Sequence, residues 1–410
     1  MTHPDQPLIL REYERVDVEL TAASASALQA GSGGALTVEP TATPGRYALR
    51  AGSLVGNVVA GDLQVAIRPK IPLRNLLYLL GIGHDDIRWW ERTFPYEREL
   101  ELLPALLAFF ARSLQRSLAA GLLRTYRWHE ERLLTLRGRI DFPAQLSKPG
   151  ARSTIACTYE EFTADNLLNR YLRVAVRRAL LVPDVPPALR RVLLGELVRF
   201  DEVEDVVLRS DAIDGHVHNR LDDHYRTPLA LGRLILEGGT IVDRAGATSA
   251  SAFLIDMNRL FEDFVAERLR RHLQPALRVD REPPVPFDRA GHVRTRPDIV
   301  LRDRDGKVVH VADVKYKLSG SGLARNGDYY QLLSYATILR EREGSLIYHD
   351  AGEGGPPPRT IEVRNSDVAL TTYRLNLGGP LEAVEDELRR LADAFRTRVN
   401  VERLQKAGVA

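Results

Sequence analysis

The chain has 410 residues, 44% hydrophobic and 27% charged, which suits a globular protein of roughly two or three domains with real cores. Its 57 basic and 55 acidic residues leave a formal net charge of +2, so overall charge does not announce a nucleic-acid binder and any such surface must be local. The single cysteine, Cys157, excludes an internal disulfide framework and a cysteine-rich zinc site, and it suits a reducing cytosol.

The opening stretch MTHPDQPLILREYERVDVEL lacks the basic-then-apolar order of a signal peptide. No apolar run reaches the ~18–20 residues of a membrane span. The expectation is a cytoplasmic protein with no membrane contact. Residues 1–95 read as β-rich: LILREYERVDVEL, RYALR, GNVVAG and LQVAIRPKI are short extended stretches broken by glycine, proline and serine/threonine. PLRNLLYLLGIG then reads as a helix stopped by glycine. Over 96–250 the pattern turns helical. ELELLPALLAFFARSLQRSLAAGLLRTYRW is long and apolar at helical spacing. In ADNLLNRYLRVAVRRALL one stripe holds Leu167, Leu168, Tyr171, Leu172, Ala175 and Val176. PDVPPALRRVLLGELVRF follows, with prolines at its start. From 251 to 410 the order is helix, hairpin, helix, strands, helix, broken by the loop AGEGGPPPR (351–359). The expected fold is α+β and multi-domain: a β-rich N-terminal lobe (1–95), a helical middle lobe (96–250), and a C-terminal α/β domain (251–410) with a mixed central sheet.

The stretch TRPDIVLRDRDGKVVHVADVKYK (295–317) holds two apolar-rich runs, each with an acidic residue inside it: Asp298 and Asp313. Asp305-Gly306 between them suits a two-residue type I′ turn. With that turn Arg304 faces Lys307, and the same register sets Asp298 opposite Asp313. Lys315 shares the face of Asp313, because strand side chains alternate. Opposed residues have Cβ atoms roughly 4.5–5.5 Å apart, where like charges destabilise. A divalent cation between them removes the conflict. Oxygen ligands of this kind suit Mg²⁺, with Mn²⁺ as a substitute. A lysine beside the metal can hold the attacking water or stabilise charge developing on phosphorus. Asp-x-Lys alone reads as a solvated hairpin face. The Pro-Asp, the register and the lysine on the same face together read as a metal site.

Three more residues fit that picture. LIDMNRLFEDFVAERLRRHL (254–273) is an amphipathic helix on which Met257, Phe261, Phe264 and Val265 share a face. Glu262 borders that face and can lean over the hairpin as a third carboxylate. In GDYYQLLSYATILRER, Gln331 and Tyr335 are four apart and lie on one side of a helix. An amide and a hydroxyl there can reach a phosphate or a base edge.

The order helix glutamate, Pro-Asp, Asp-x-Lys, Gln-x-x-x-Tyr resembles the PD-(D/E)xK nuclease superfamily. "MNRLFEDFVAERL", "RTRPDIVL", "ADVKYK" and "DYYQLLSYA" resemble the McrC subunit of McrBC modification-dependent restriction systems. "LQVAIRPKIPLRNLLYLL", "LRGRIDF" and "FTADNLLNRYL" are similar to that family's N-terminal and middle regions. The resemblance implies that Asp298 and Asp313 bind Mg²⁺, that Lys315 is the catalytic lysine, and that Glu262 is the superfamily's helix glutamate. It implies a substrate-binding role for Gln331 and Tyr335. It also implies DNA as substrate and docking on an McrB-like hexameric AAA+ GTPase. Residues 1–250 hold no recognisable chemistry and are more than a nuclease domain needs, so they are assigned to partner docking, with residues 1–95 as the docking domain. The sequence contains no G-x-x-x-x-G-K-S/T phosphate loop, so no nucleotide is expected on this chain. Two other readings stand beside this one. One is a non-enzymatic adaptor that binds DNA or activates an AAA+ motor. The other is a ribonuclease or DNA-repair nuclease on the same fold.

Other clusters read more plainly. His216, His218, Asp222, Asp223 and His224 fit no metal spacing and look like a loop. Arg170, Arg173 and Arg177 form a basic line that reads as a solvated helix face rather than a phosphate track. Trp89, Trp90 and Trp128 read as core or interface anchors.

Overall fold

The computed structural model describes residues 7–61, 63–81, 87, 102–147, 154–182, 185–216, 219–242, 250–316, 326–350 and 357–407. They divide into two compact units: residues 1–91 with 242–410, and residues 92–241. Among the described residues no helix is long and apolar enough to cross a membrane.

The first unit contains a six-stranded mixed sheet in the order Arg278–Arg281, Ile299–Arg302, Val308–Lys315, Glu343–Asp350, Ala369–Asn376, Arg359–Glu362. The first three strands are antiparallel, the third to fifth run parallel, and the last returns antiparallel. Ile299, Val300 and Leu301 are all buried, as a strand covered on both faces requires. On one face, Leu332, Tyr335 and Ala336 of the helix Asn326–Leu339 pack on Val300, Val311, Leu346 and Tyr348. On the other, His310 and Tyr373 meet Phe395 of the helix Leu381–Ala407, and Tyr316 meets Phe261 of the helix Met257–Leu273. That last helix begins at Met257 rather than 254, because Leu254, Ile255 and Asp256 complete a strand. Asp256 then caps it by accepting the Asn258 N–H.

The expected β-rich character of the N-terminal segment is present. Arg15–Glu19, Arg46–Ala51 and Leu36–Pro40 form an antiparallel sheet. Leu8–Arg11, Leu63–Arg68, Leu54–Ala60 and Ala250–Asp256 lie side by side in another sheet, the first pair parallel and the others antiparallel. The helix Leu73–Leu79 also forms as expected. Its buried Asn75 amide donates to the carbonyls of Leu377 (2.5 Å) and Gly379 (2.8 Å).

The second unit is not purely helical. The helix Leu102–Ser117 stops well before the Thr-Tyr-Arg-Trp that the apolar spacing joins to it. Thr125–Leu133 is instead a strand, paired antiparallel with Ile155–Thr163 along its whole length, and Arg139–Ile140 adds a short third strand. The β-branched and aromatic residues at 125, 126 and 128 favour this extended pairing. In the helix Leu167–Leu180 the stripe Leu168, Tyr171, Leu172, Ala175 and Val176 is buried as expected. Leu167 is exposed, because it is the first helical residue after the Asn166 cap.

The central hairpin turns differently from the two-residue loop expected. Its loop spans 303–307, closed by the Asp303 N–H on the Lys307 carbonyl (2.9 Å). The Asp303 carboxylate accepts the N–H groups of Asp305 and Lys307. Gly306 takes a φ of 80°, which a glycine adopts without strain. Arg302 pairs with Val308 but Leu301 with His310, so Val309 is an extra residue in a bulge. The bulge offsets the longer loop. Ile299 faces Ala312, which continues the register expected for Asp298 and Asp313.

His310 gives this core an acid sensitivity. It is buried, bonded to Ser345 Oγ (2.8 Å) and packed on Phe395. Burial, helped by the Arg398 charge, lowers it from 6.5 to about 3. Above the unfolded value both states are neutral and the stability is fully present. As pH falls from about 6.5 towards about 3, the unfolded chain binds the proton first and stability is lost. The slope approaches about 1.4 kcal/mol per pH unit for this one proton. Melting curves from pH 7 to pH 4 are expected to fall less steeply for His310→Gln than for the unaltered chain. Equal slopes would show that His310 titrates normally.

Candidate active site

The hairpin and the turn before it bring Asp298, Asp313 and Lys315 together. Asp298 follows Pro297 at the mouth of the strand Ile299–Arg302. Its backbone carbonyl accepts the Glu282 N–H (3.0 Å) and its Oδ2 accepts the Val314 N–H (2.7 Å). Asp313 lies in the strand Val308–Lys315, and its side chain is 0% exposed. Lys315 Nζ lies 2.8 Å from Asp313 Oδ2 and 3.7 Å from Asp298 Oδ2. The closer contact is an ion pair to a fully buried carboxylate. Apart from the Lys315 ammonium and the neighbouring Asp298 carboxyl, the Asp313 oxygens have no partner among the described residues.

The electrostatics follow from this crowding. Burial first, and the Asp298 charge second, push the Asp313 carboxyl up to about 7 against the pull of Lys315. Burial works to lower Lys315, but the Asp313 and Asp298 charges outweigh it and raise the ammonium. Glu262, on the helix Met257–Leu273, belongs to the same field. Burial and then the Asp298 charge push it up to about 8, Lys315 opposes, and Glu282 and Asp263 add to the rise. Sequence reasoning missed Glu282. It holds a φ of 43°, rare for a non-glycine residue, and its N–H fixes the Asp298 carbonyl. Its only local signal, a glutamate before two prolines, reads as a turn and not as chemistry.

Gln331 and Tyr335 lie on the helix Asn326–Leu339, over the sheet face that carries the carboxylates. Gln331 Nε2 donates to Tyr335 Oη (2.7 Å), and Tyr335 Oη donates to the Arg296 carbonyl (3.4 Å). The pair touches the turn that presents Asp298. The Tyr348 hydroxyl, beside Lys315 in register, donates to Asp328 in the first turn of the same helix and pins it.

The other clusters are consumed by structure. His216 Nε2 bonds buried Asp222 (2.7 Å), whose other oxygen accepts the Asn219 N–H; His218 lies outside the described residues. Arg170 pairs with Asp165 and Glu204, Arg173 donates to the Phe200 and Val203 carbonyls, and Arg177 pairs with Asp205. That basic line is not a phosphate track. Trp128 is 56% exposed, so it is not a core anchor; Trp89 and Trp90 lie outside the described residues.

Among the described residues, no three His, Cys, Asp or Glu side chains are gathered closely enough to ligate one ion. Asp298 and Asp313 nevertheless form a hard-oxygen pair of the kind Mg²⁺ accepts with water and phosphate completing its shell. The buried Asp313 carboxylate, crowded against Asp298 with one shared lysine, fits such an ion. Fold and site thus define a multi-domain α/β protein with two aspartates, one of them fully buried, and a lysine gathered on a mixed sheet. The chain belongs to the McrBC family: the McrBC 5-methylcytosine restriction system component matches residues 49–349. It is also similar to a chain of the refined half-complex from the tetradecameric assembly of Thermococcus gammatolerans McrB AAA+ hexamers with bound McrC. That likeness has a TM-score of 0.54 and 21% identity, and covers 94% of this chain and 99% of that one, which is a likeness of fold. A chain of the Thermococcus gammatolerans McrBC complex matches with a TM-score of 0.44 and 22% identity, over 65% of this chain and 88% of that one. No curated protein matches the chain.

Proposed function

We propose that the chain is the nuclease subunit of a GTP-driven restriction complex that cuts DNA containing methylcytosine, and that it stimulates a partner AAA+ GTPase hexamer. The observation that carries this is the Asp298–Asp313–Lys315 cluster, in which a fully buried carboxylate stands beside a second carboxylate and a lysine. Asp298 and Asp313 would hold Mg²⁺, which when bound supplies Lewis acidity and lowers the pKa of coordinated water. Lys315 would orient the attacking water and offset charge on the phosphate oxygens. Glu262 would extend the acidic wall on the side of the helix Met257–Leu273. The family match and the shared fold support the AAA+ partner. On this reading nucleotide hydrolysis belongs to that partner, in keeping with a sequence that lacks a G-x-x-x-x-G-K-S/T phosphate loop. Residues 1–95 are the proposed docking domain and 251–410 the proposed PD-(D/E)xK endonuclease domain.

The test is reconstitution with an McrB-like AAA+ GTPase. Methylated DNA, Mg²⁺ and GTP together are expected to give double-strand cuts. The chain alone with Mg²⁺ is expected to be nearly inert, because nothing delivers a phosphate to a recessed site. Rapid digestion by the pure chain alone, or intact methylated DNA with the full mixture, would overturn the proposal.

A further inference from the structure

We propose that Tyr335, supported by Gln331, is a positioning residue that aims Asp298 at the metal site, rather than a contact to DNA. The inference rests on the nuclease reading above. Its basis is where the Tyr335 hydroxyl spends its bonds. The hydroxyl donates to the Arg296 carbonyl and accepts from the Gln331 amide, so its one proton points at protein. The tyrosine ring is buried among Val300, Val311 and Leu332, which leaves the hydroxyl little freedom to swing towards a substrate. The carbonyl it holds belongs to the residue before Pro297. Proline has no N–H to give a neighbouring strand, and Arg296 and Pro297 lie outside the strand ladder. A carbonyl there needs a side-chain or solvent partner.

The geometry fixes the Arg296-Pro297-Asp298 turn from both ends. Tyr335 holds the carbonyl before the proline. Glu282 holds the Asp298 carbonyl after it, and the Val314 N–H holds the Asp298 side chain. Loosening the first of these anchors lets the carboxylate drift from Asp313 without removing any charged group. Outer partners of this kind typically change metal affinity by about 10–100-fold when lost.

The experiment uses the full chain. Mg²⁺ and Mn²⁺ binding is measured by calorimetry, DNA binding is measured in chelator, and KM for DNA and kcat are measured in the reconstituted complex. Tyr335→Phe keeps the buried ring and removes only the hydroxyl, and Gln331→Met removes the supporting amide. Both are expected to weaken metal binding about 10-fold and lower kcat, with KM for DNA and metal-free DNA binding unchanged. Tyr335→Phe is expected to be the more severe of the two. Raised KM with unchanged metal affinity in either variant would make the pair a substrate contact and overturn the proposal. Asp298→Asn separates this from failure of the nuclease reading. If Asp298→Asn leaves metal binding intact, the metal site itself is wrong. If Asp298→Asn abolishes binding while both other variants bind normally, only the positioning role fails.

Discussion

Asp313→Asn is expected to abolish DNA cleavage in the reconstituted complex, by at least about 100-fold, while raising the melting temperature in metal-free buffer. The two effects have one cause. The Asp313 carboxylate is fully buried, faces the Asp298 charge, and shares the single Lys315 ammonium with it. One cation beside two crowded carboxylates leaves a negative charge in excess, and that excess disfavours the ionised form. Asparagine keeps the shape and removes the excess charge, so the metal-free fold gains what the site loses. Lys315→Ala is expected to abolish cleavage too, but with the opposite sign in stability. It strips the counter-ion from two neighbouring carboxylates. Added Mg²⁺ is expected to stabilise the unaltered chain and to leave Asp313→Asn nearly unmoved, since only a state that binds the ion is stabilised by it. Melting curves for the three proteins, with and without Mg²⁺, decide the matter. A destabilised Asp313→Asn in metal-free buffer would mean that the Lys315 ion pair outweighs the repulsion from Asp298.

The sequence was informative where chemistry is local in register. Alternation along two strands sufficed to set Asp298 and Asp313 together, although the turn assumed was too short. A five-residue loop and the extra Val309 cancel, so the pairing survives for a different reason. Helical spacing suggested that Glu262 leans over the hairpin; in the structure it lies within the electrostatic field of Asp298 and Lys315, but it does not join them as a third ligand-forming carboxylate among the described residues. Spacing also put Gln331 and Tyr335 on one side of their helix, but it carried no information about the Arg296 carbonyl they serve. Glu282 was illegible because its part is played by a backbone N–H, which every non-proline residue has. The strands at 125–133 and 155–163 were hidden by apolar residues that match helical spacing as well. Bonds such as Asn75 to Leu377 join segments far apart in the chain, and no local pattern announces them.

Those distant bonds underlie the last expectation, that a fragment of residues 251–410 does not fold. It would begin within the strand Ala250–Asp256, whose neighbour Leu54–Ala60 pairs with it along seven positions. Without residues 1–91 the Met257 N–H loses the Ser53 carbonyl at the start of the helix that carries Glu262. The carbonyls of Leu377 and Gly379 lose the Asn75 amide, and Glu385 loses the Tyr78 hydroxyl (2.6 Å). Tyr316, next to Lys315, loses the buried Glu12 carboxylate (3.3 Å). Each newly unpaired buried group costs roughly 1–3 kcal/mol, while a whole domain is stable by only about 5–15 kcal/mol. The fragment is therefore expected to express as aggregate, or to melt without a cooperative transition and to bind no Mg²⁺. Residues 92–241 form a compact unit of their own, so a 92–241 fragment is expected to be soluble and to unfold cooperatively. Circular dichroism melts and size-exclusion chromatography of both fragments test this. A 251–410 fragment that is monomeric, melts sharply and binds Mg²⁺ would show that the N-terminal segment is an accessory to the site and not part of its foundation.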